Sequence, residues 1–182
     1  MRTIRITTKT RTYPVLIGKG MMGDFDWKGM NTSNVVVITE KKPQHLFGRE
    51  LEKALKRNKI SYNFFEITGG EKAKTLKTIE SLANKMLAKG CDRDSLIVSL
   101  GGGVVGDVTG FLASTYKRGV RLIHIPTTFL AMVDASLGGK NGVNLPEGKN
   151  MLGTIYQPEA VLIDPTYINN LPEREMRNGY AE

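Results

Sequence analysis

The chain has 182 residues, of which 40% are hydrophobic and 24% charged, and its formal net charge is +8 at pH 7. This composition is typical of a globular protein with one sizeable core, and it excludes a disordered tail. No apolar run approaches the roughly 20 residues of a membrane-spanning helix, and the polar opening MRTIRITTKTRTY lacks the apolar centre of a signal peptide. We therefore expect a cytoplasmic protein that binds no membrane.

The distribution of charge and of metal-binding residue types excludes further classes. Lysines and arginines are dispersed along the chain, and no aromatic-basic motif of an RNA-binding sheet occurs, so nucleic-acid binding is not expected. The one cysteine, Cys91, excludes an internal disulfide. The two histidines, His45 and His124, lie too far apart for a local metal motif, and we interpret both as structural.

The first half of the chain predicts a hairpin and then alternating strands and helices. TIRIT and TYPVLIG are short runs rich in β-branched and aromatic residues, which favour an N-terminal hairpin. VVVIT, from Val35 to Thr39, is a continuous apolar run typical of a strand buried on both faces of a parallel sheet. A helix is predicted from Pro43 to Lys59, then a strand at YNFFEIT and a helix at LKTIESLANKMLAKG, which Gly90 closes.

The alternation continues through the strand SLIVSL, the helix VVGDVTGFLASTYKRG and the strand VRLIHIP, which TTFLAMVDASLGG follows. Repeated strand-helix units predict a parallel sheet covered by helices on both faces. KNGVNLPEGKNMLGTIYQP is punctuated by glycine, proline and asparagine and predicts a functional or disordered loop. AVLID is a late strand, and LPEREMRNGYAE begins a helix with Pro172 near its first turn. Because this helix has no stop signal, we expect the chain to be the front part of a longer polypeptide.

A glycine cluster stands between the strand SLIVSL and the next helix. Gly101, Gly103 and Gly106 match the pattern G-x-G-x-x-G, in which glycines let the backbone approach a pyrophosphate and helix-start amides bind it. A tight strand-to-helix turn is the alternative interpretation. The ribose-binding acid expected about 20 residues later is replaced by IPTT, which weakens an ordinary dehydrogenase interpretation. Glu40 and Glu71 follow two earlier strands and are candidates for ribose recognition, although each alone is more often a solvated loop carboxylate.

Further polar residues follow the glycine cluster. Asp107 comes directly after it and is expected to accept hydrogen bonds or to cap the helix. Thr127 and Thr128 stand at the carboxyl end of a strand, where open parallel sheets bind ligands, or they cap the next helix. The stretch DASLGGKNGVNLPEGKN then holds Asp134, Lys140, Lys149 and Asn150. Lysines and an asparagine around glycine turns favour an anionic substrate, although each residue alone is more often simply exposed.

Together these motifs resemble the 3-dehydroquinate synthase family. The resemblance is carried by GGGVVGDVTGFLASTYKRGVRLIHIPTTFLAMVDASLGGKNGVNLPEGKNMLGTIYQP, by LPERE and by GYAE, and more weakly by TGGEKAKT and the N-terminal hairpin. It implies an α/β fold with a Rossmann-like parallel sheet flanked by helices and an N-terminal β-hairpin. Residues 1–171 would be an NAD-binding domain, and 172–182 would begin the first helix of a helical C-terminal domain that this chain lacks.

The resemblance also implies chemistry. Family members convert the sugar phosphate 3-deoxy-D-arabino-heptulosonate 7-phosphate into 3-dehydroquinate and phosphate in the shikimate pathway, with NAD and a divalent metal, commonly zinc, and as homodimers. The residues implied for NAD are Glu40, Glu71, Lys74, Gly102, Gly103, Val104, Asp107, Thr127, Thr128, Lys140 and Lys149. Substrate contacts are implied for Arg118, Asp134, Lys140 and Asn150, of which Asp134 and Lys140 are the implied catalytic residues. Glu182 would be one metal ligand, the others being histidines beyond this chain, so we expect the chain alone to be inactive.

Some positions depart from the family pattern. Ala135 stands where serine is common, Asn141 where threonine is common, and YINNL replaces FLKTL, which puts Asn169 and Asn170 near the cofactor. Three alternatives therefore stay open: another sugar-phosphate cyclase, an enzyme of the architecturally related glycerol dehydrogenases, and an isolated nucleotide-binding module without catalysis.

Overall fold

The computed structural model describes residues 1–181. Its strands are β1 Arg2–Thr7, β2 Thr12–Ile17, β3 Val35–Thr39, β4 Tyr62–Glu66, β5 Leu96–Gly101, β6 Arg121–Pro126, β7 Lys140–Leu145, β8 Gly148–Ile155 and β9 Ala160–Ile163. Its α-helices are α1 Met21–Asp24, α2 Lys41–Arg57, α3 Leu76–Ala88, α4 Gly103–Thr115 and α5 Glu173–Tyr180. Short 3-10 turns occupy Lys28–Met30, Glu71–Ala73, Tyr116–Arg118 and Pro165–Asn170, and a π-helical turn occupies Ala131–Ala135.

Seven strands form one sheet in the order β1-β2-β9-β6-β5-β3-β4. All neighbouring pairs are parallel except β1 with β2, so the predicted Rossmann-like sheet and its N-terminal hairpin are confirmed. The hairpin extends the sheet because β2 pairs in parallel with β9, with Val15 opposite Val161. The sequence pattern did not reveal this long-range pairing.

The central strands are apolar throughout because both of their faces are covered. Val35 and Val37 of β3 belong to the core beneath α1 and α2, whereas Val36 and Ile38 belong to the core beneath α3 and α4. Successive side chains of a strand point to opposite faces, so a strand between two helical layers has no polar face. None of the helices within residues 1–181 is long and apolar enough to cross a bilayer.

Two helix boundaries refine the sequence prediction. Helix α2 runs from Lys41 to Arg57, two residues earlier at each end than predicted. Gly90 follows α3 with φ of 68°, a left-handed conformation that glycine adopts without strain, so its predicted role at the end of this helix is confirmed.

The stretch predicted to be a functional or disordered loop is an ordered antiparallel hairpin. Strands β7 and β8 pair along their lengths, and Gly142 faces Gly153. A Cβ on Gly153 would lie 2.5 Å from the Asn141 carbonyl oxygen, so both strands approach more closely than side chains allow. The glycines and asparagines that suggested a loop are thus required for close packing within the hairpin and onto α4, whose Gly110 lies beneath Asn141.

The order of the strands creates a crevice at one edge of the sheet. After β3 the chain moves outward to β4, then crosses back to place β5 on the other side of β3. Segments that leave β3 and β5 therefore diverge to opposite faces of the sheet. Open parallel sheets bind ligands at this kind of switch point, outside the carboxyl ends of the strands.

Candidate functional site

A cleft of about 590 Å³ opens at the carboxyl ends of the parallel strands. Segments that follow β3, β4, β5, β6 and β9 all contribute to it. Nine of the predicted cofactor residues line it: Glu40, Glu71, Lys74, Gly102, Gly103, Val104, Asp107, Thr127 and Thr128. The fold therefore gathers side chains that are up to 88 positions apart in the sequence, from Glu40 to Thr128.

The glycine cluster lies at the start of α4, where backbone and neighbours leave no room for side chains. A Cβ on Gly101 would lie 2.5 Å from Val105 Cγ2, and one on Gly102 would lie 3.0 Å from Thr128 Cγ2. Gly102 immediately precedes α4 in an extended conformation. The first amides of a helix have no carbonyl partner within it and form the positive end of its dipole, so this loop presents N–H donors to the cleft.

Glu40 reaches the cleft from β3, the strand that neighbours β5 in the sheet. Its Oε1 accepts a hydrogen bond of 3.2 Å from the Gly70 amide, which fixes the carboxylate beside the loop after β4. The dinucleotide pattern requires an acidic residue after β6, and none stands there. Glu40 instead follows β3, which borders β5 on its other side. A carboxylate is therefore present at the crevice although the sequence spacing of the pattern fails.

Lys74 is the central charge of the site. It is 4% exposed, its Nζ lies 2.6 Å from Asp107 Oδ2, and it also donates to Asn150 Oδ1. Burial raises the pKa of Asp107, and the Lys74 ammonium opposes this effect. A buried ammonium requires an anionic partner, so this ion pair ties α4 to the segment after β4.

Asn144 extends this network and was not among the predicted site residues. Its Nδ2 donates to Glu71 Oε1 at 2.9 Å, its Oδ1 accepts from the Asn150 amide at 2.8 Å, and its own amide donates to the Lys74 carbonyl at 2.8 Å. Asn150 adopts φ of 54°, a conformation that asparagine tolerates better than most residues. Asn144 thereby fixes the tip of the β7–β8 hairpin against the cleft. Because this stretch was predicted to be a loop, nothing in the sequence indicated that Asn144 positions the hairpin.

The two threonines after β6 differ in what they do. The Thr127 amide donates to the Gly101 carbonyl at 2.9 Å, which continues the pairing of β5 and β6 into the cleft. Thr128 Oγ1 accepts from the Ala131 amide at 3.3 Å, so the capping role considered for this hydroxyl is observed. The hydroxyl that caps the π-helical turn is thus that of Thr128 and not that of Thr127.

Other predicted site residues lie outside the cleft. Asp134, Lys140 and Lys149 are exposed and do not line it. Lys140 begins β7 opposite Ile155, about four residues or roughly 13 Å along the hairpin from the Asn144 network. Only Asn150 of the predicted substrate residues joins the cleft network, through Lys74.

Arg118 lies away from the cleft. It follows α4 and precedes β6, so it lies at the amino ends of the strands, whereas the cleft lies at their carboxyl ends. Six residues of β6 separate the two edges by roughly 20 Å. Arg118 therefore does not join the cleft residues of this chain, and its role in substrate binding stays a prediction.

The cleft also has an apolar wall that the sequence analysis missed. Phe47 of α2 and Tyr167 after β9 stack with ring centroids 4.1 Å apart, and both line the cleft. The Tyr167 hydroxyl donates to Glu50 Oε2 at 3.2 Å, and burial raises the pKa of Tyr167. Further lining residues outside the predicted set include Lys42, Leu130, Ala135, Asn170 and Glu175. Of these, Asn170 and Ala135 were noted in the sequence as departures from the family pattern.

The metal ligands implied by the resemblance lie outside the described residues. Within residues 1–181, no three histidine, cysteine or acidic side chains lie close enough together to hold a metal ion. Glu182, the predicted metal ligand, lies outside the described residues.

Comparisons with known protein structures identify close relatives of this fold. A 2-deoxy-scyllo-inosose synthase complexed with carbaglucose-6-phosphate, NAD+ and Co2+ superposes with a TM-score of 0.91 at 29% identity, covering 98% of this chain and 50% of that one. A 2-epi-5-epi-valiolone synthase from Streptomyces hygroscopicus with NAD+ and Zn2+ bound gives a TM-score of 0.85 at 31% identity, covering 97% and 49%. A glycerol dehydrogenase from Schizosaccharomyces pombe, at 20% identity and a TM-score of 0.71, covers 89% of this chain and 39% of that one and shares the fold alone.

Sequence comparisons narrow the family. Residues 64–178 match the family model described as 3-dehydroquinate synthase N-terminal. The chain is 47% identical to a 3-dehydroquinate synthase from Koribacter versatilis and 43% identical to one from Dictyoglomus thermophilum, and each match covers 100% of this chain. The chain spans about half the length of these curated relatives, 51% and 50%. It therefore belongs to the 3-dehydroquinate synthase family.

Proposed function

We propose that this chain is the NAD-binding part of a 3-dehydroquinate synthase, which converts 3-deoxy-D-arabino-heptulosonate 7-phosphate into 3-dehydroquinate and phosphate. The observation that carries this proposal is the switch-point cleft, where the glycine loop of α4, Glu40 and Thr127 meet. The family membership of the chain supports the same reaction. The enzyme is a phosphate-eliminating lyase, and its place is the shikimate pathway of aromatic amino acid biosynthesis.

The cleft fits a dinucleotide. Its volume of about 590 Å³ falls within the roughly 300–1,000 Å³ of small-molecule sites. The amides of Gly102, Gly103 and Val104 suit the pyrophosphate, and the Glu40 carboxylate suits the hydroxyls of a ribose. Phe47 and Tyr167 give one wall of the cleft an apolar lining.

Lys74 and Asp107 complete this site. A ligand phosphate at the glycine loop would be repelled by a free carboxylate at Asp107, but the Lys74 ammonium 2.6 Å away compensates that charge. Glu71, 3.8 Å from the same ammonium, and Thr128 also line the cleft. We assign Lys149, which is exposed on β8, to the outer part of the cofactor site on the strength of the family resemblance.

The substrate is a sugar phosphate, and its site adjoins that of NAD. Asn150 shares Lys74 with Asp107, so a residue assigned to substrate and two assigned to NAD form one hydrogen-bonded unit. Asp134 and Lys140 are assigned to catalysis and substrate binding, with Lys140 near both ligands. These two assignments stay predictions because neither side chain lines the cleft.

The chain's own contribution to the reaction is binding and orientation. When bound, NAD supplies a reversible acceptor for a hydride from a substrate alcohol. The glycine loop fixes the pyrophosphate, Glu40 and Thr127 orient the rest of the cofactor, and Lys74 holds Asn150 beside it. A divalent metal, zinc by the resemblance, belongs to the whole enzyme, and no group of three ligand residues within residues 1–181 could hold it. We propose that the chain alone is catalytically inactive.

A second candidate is a related sugar-phosphate cyclase. The structural likeness to 2-deoxy-scyllo-inosose synthase and 2-epi-5-epi-valiolone synthase favours it. Ala135, where the family commonly has serine, lines the cleft and is a position where substrate choice could differ. Supplying the full-length protein with a series of phosphorylated sugars would separate the two candidates by the rate of product formation.

Titration of NAD into the chain by calorimetry tests the cofactor site. We expect saturable binding that Gly103→Asp weakens at least tenfold, because the new carboxylate faces the phosphate site at the start of α4. Gly23→Asp is the matched control: Gly23 lies in α1 with nothing within 4 Å of an added Cβ, so its variant should bind NAD normally. Equal loss of binding in both variants, or no binding to the wild-type chain, would contradict the proposed site.

The activity belongs to the full-length protein. Incubated with the seven-carbon sugar phosphate, NAD and zinc, it should release inorganic phosphate without net accumulation of NADH. Accumulation of NADH would instead indicate a dehydrogenase, and absence of phosphate would defeat the assignment. We further propose a cytoplasmic homodimer that binds neither membranes nor nucleic acids, which sedimentation of the full-length protein and cell fractionation would test.

A further inference from the structure

A second, much smaller cavity lies beneath the glycine loop. Its volume is about 10 Å³, and it lies between β5, β6, the start of α4 and the π-helical turn. The residues that line it are Ser99, Gly101, Gly102, Gly103, Gly106, His124, Pro126, Ala131, Ala135 and Ser136. Gly102, Gly103 and Ala135 line both this buried cavity and the large cleft, so the two spaces are adjacent.

Three polar side chains face the buried cavity. Ser99 and His124 are directly opposite each other in the β5–β6 register, and Ser99 Oγ lies 2.7 Å from His124 Nδ1. Ser136 is 3% exposed, and its Oγ has no hydrogen-bond partner within residues 1–181. A buried hydroxyl without a partner is costly, so an unmade hydrogen bond at this place calls for a ligand.

We propose that one water molecule occupies the buried cavity and hydrogen-bonds to Ser136 Oγ and to the Ser99–His124 pair. The cavity has the size of a single water site, for which about 10–15 Å³ of this kind of volume suffices. Buried waters need two to four polar partners, and the three side chains supply them. The site is too small for any larger ligand.

This water links three segments that position the glycine loop. Ser99 belongs to β5, His124 to β6, and Ser136 to the end of the π-helical turn, whose Ala135 lies 3.4 Å from where a Cβ on Gly103 would be. Without the water, no hydrogen bond joins Ser136 Oγ to either strand within the described residues. The water therefore holds the turn against the sheet directly behind the amides of the loop.

A high-resolution crystal structure of the chain tests the proposal. We expect an isolated density peak within hydrogen-bonding distance, roughly 2.6–3.2 Å, of Ser136 Oγ and of Ser99 Oγ or His124. Gly106→Ala should abolish the peak, because the new methyl enters the cavity at 4.0 Å from His124 Cε1 and a helical glycine accepts alanine readily. Ser114→Ala, on the same helix but outside the cavity, should keep it.

Three results would overturn the proposal. The first is a cavity with no density in the wild-type protein. The second is a Ser136 hydroxyl that forms its hydrogen bond directly with a protein atom. The third is a peak that persists unchanged in Gly106→Ala, since the water would then lie elsewhere. Should crystals not form, cross-relaxation in solution between long-lived water and the amides of Gly102 and Gly103 distinguishes the same outcomes: its presence in the wild type and loss in Gly106→Ala are expected.

Discussion

His124 should make the stability of the fold depend on pH in a defined window. Its imidazole is buried beneath the start of α4, and burial lowers the pKa of His124 from 6.5 to about 4. The unfolded chain takes up a proton near pH 6.5, whereas the folded chain does so only near pH 4. Between these values the unfolded state binds more protons, so the free energy of unfolding falls as the pH falls.

The expected size follows from the gap between the two pKa values. Each pKa unit corresponds to about 1.4 kcal/mol, so acidification from pH 7 to pH 4 should remove up to about 3 kcal/mol of stability through His124 alone. Well above pH 6.5 and well below pH 4 this contribution should be constant. A loss of this size is a large fraction of the roughly 5–15 kcal/mol that stabilises a typical domain.

Urea unfolding at a series of pH values measures the effect, with Trp27 as a probe because it is fully buried in the native state. The matched variant is His124→Gln, which can still hydrogen-bond to Ser99 but does not titrate. The difference in stability between wild type and variant should change by up to about 3 kcal/mol from pH 7 to pH 4, whatever its offset at pH 7. A difference that stays flat across this range would refute the reasoning, since carboxylates titrate alike in both proteins.

Two further predictions concern the cleft. Lys74→Met should lower the free energy of unfolding by up to about 3 kcal/mol, because it leaves the Asp107 carboxylate half-buried without its cation, and Lys74→Met/Asp107→Leu should recover most of the loss in urea unfolding. No recovery in the double variant would show that the ion pair does not account for the cost. Gly153→Ala should cost roughly 1–3 kcal/mol, because its Cβ would meet the Asn141 carbonyl oxygen at 2.5 Å. Gly148→Ala in the same hairpin, whose Cβ meets only the flexible end of Met151, should stay within about 0.5 kcal/mol, and equal costs would contradict the close-approach argument.

The parts of the fold that the sequence predicts well are those with a strict pattern. The run Val35–Thr39 is strand β3 as predicted, because only a strand covered on both faces needs five consecutive apolar or small residues. The glycine pattern located the start of α4, where a Cβ on Gly101 would lie 2.5 Å from Val105 Cγ2. Local geometry determines both features, so both can be predicted from the sequence alone.

The β7–β8 hairpin shows where this reasoning fails. Its exposed strand β8 has little alternation of buried and exposed positions, so the period-two signal is missing. The stabilising contacts are long-range: Asn141 covers Gly110 of α4, and Asn144 bonds to Glu71 and to the Lys74 carbonyl. No local rule connects residues 71 and 144. The prediction therefore rested on the loop-like composition of the stretch and was a loop.

The same distinction explains why the structure gathers nine of the eleven predicted NAD residues but disperses most of the predicted substrate residues. Glu40, Gly102 and Thr127 each follow the carboxyl end of a parallel strand, and the parallel sheet brings all such ends to one edge. Asp134 and Lys140 lie instead in a π-helical turn and at the base of a hairpin, whose positions the sheet does not dictate. Asn150 is the exception because the buried Lys74 draws its segment to the cleft. Strand-helix periodicity can thus locate a cofactor site, whereas a substrate site built from irregular segments depends on contacts such as that of Lys74.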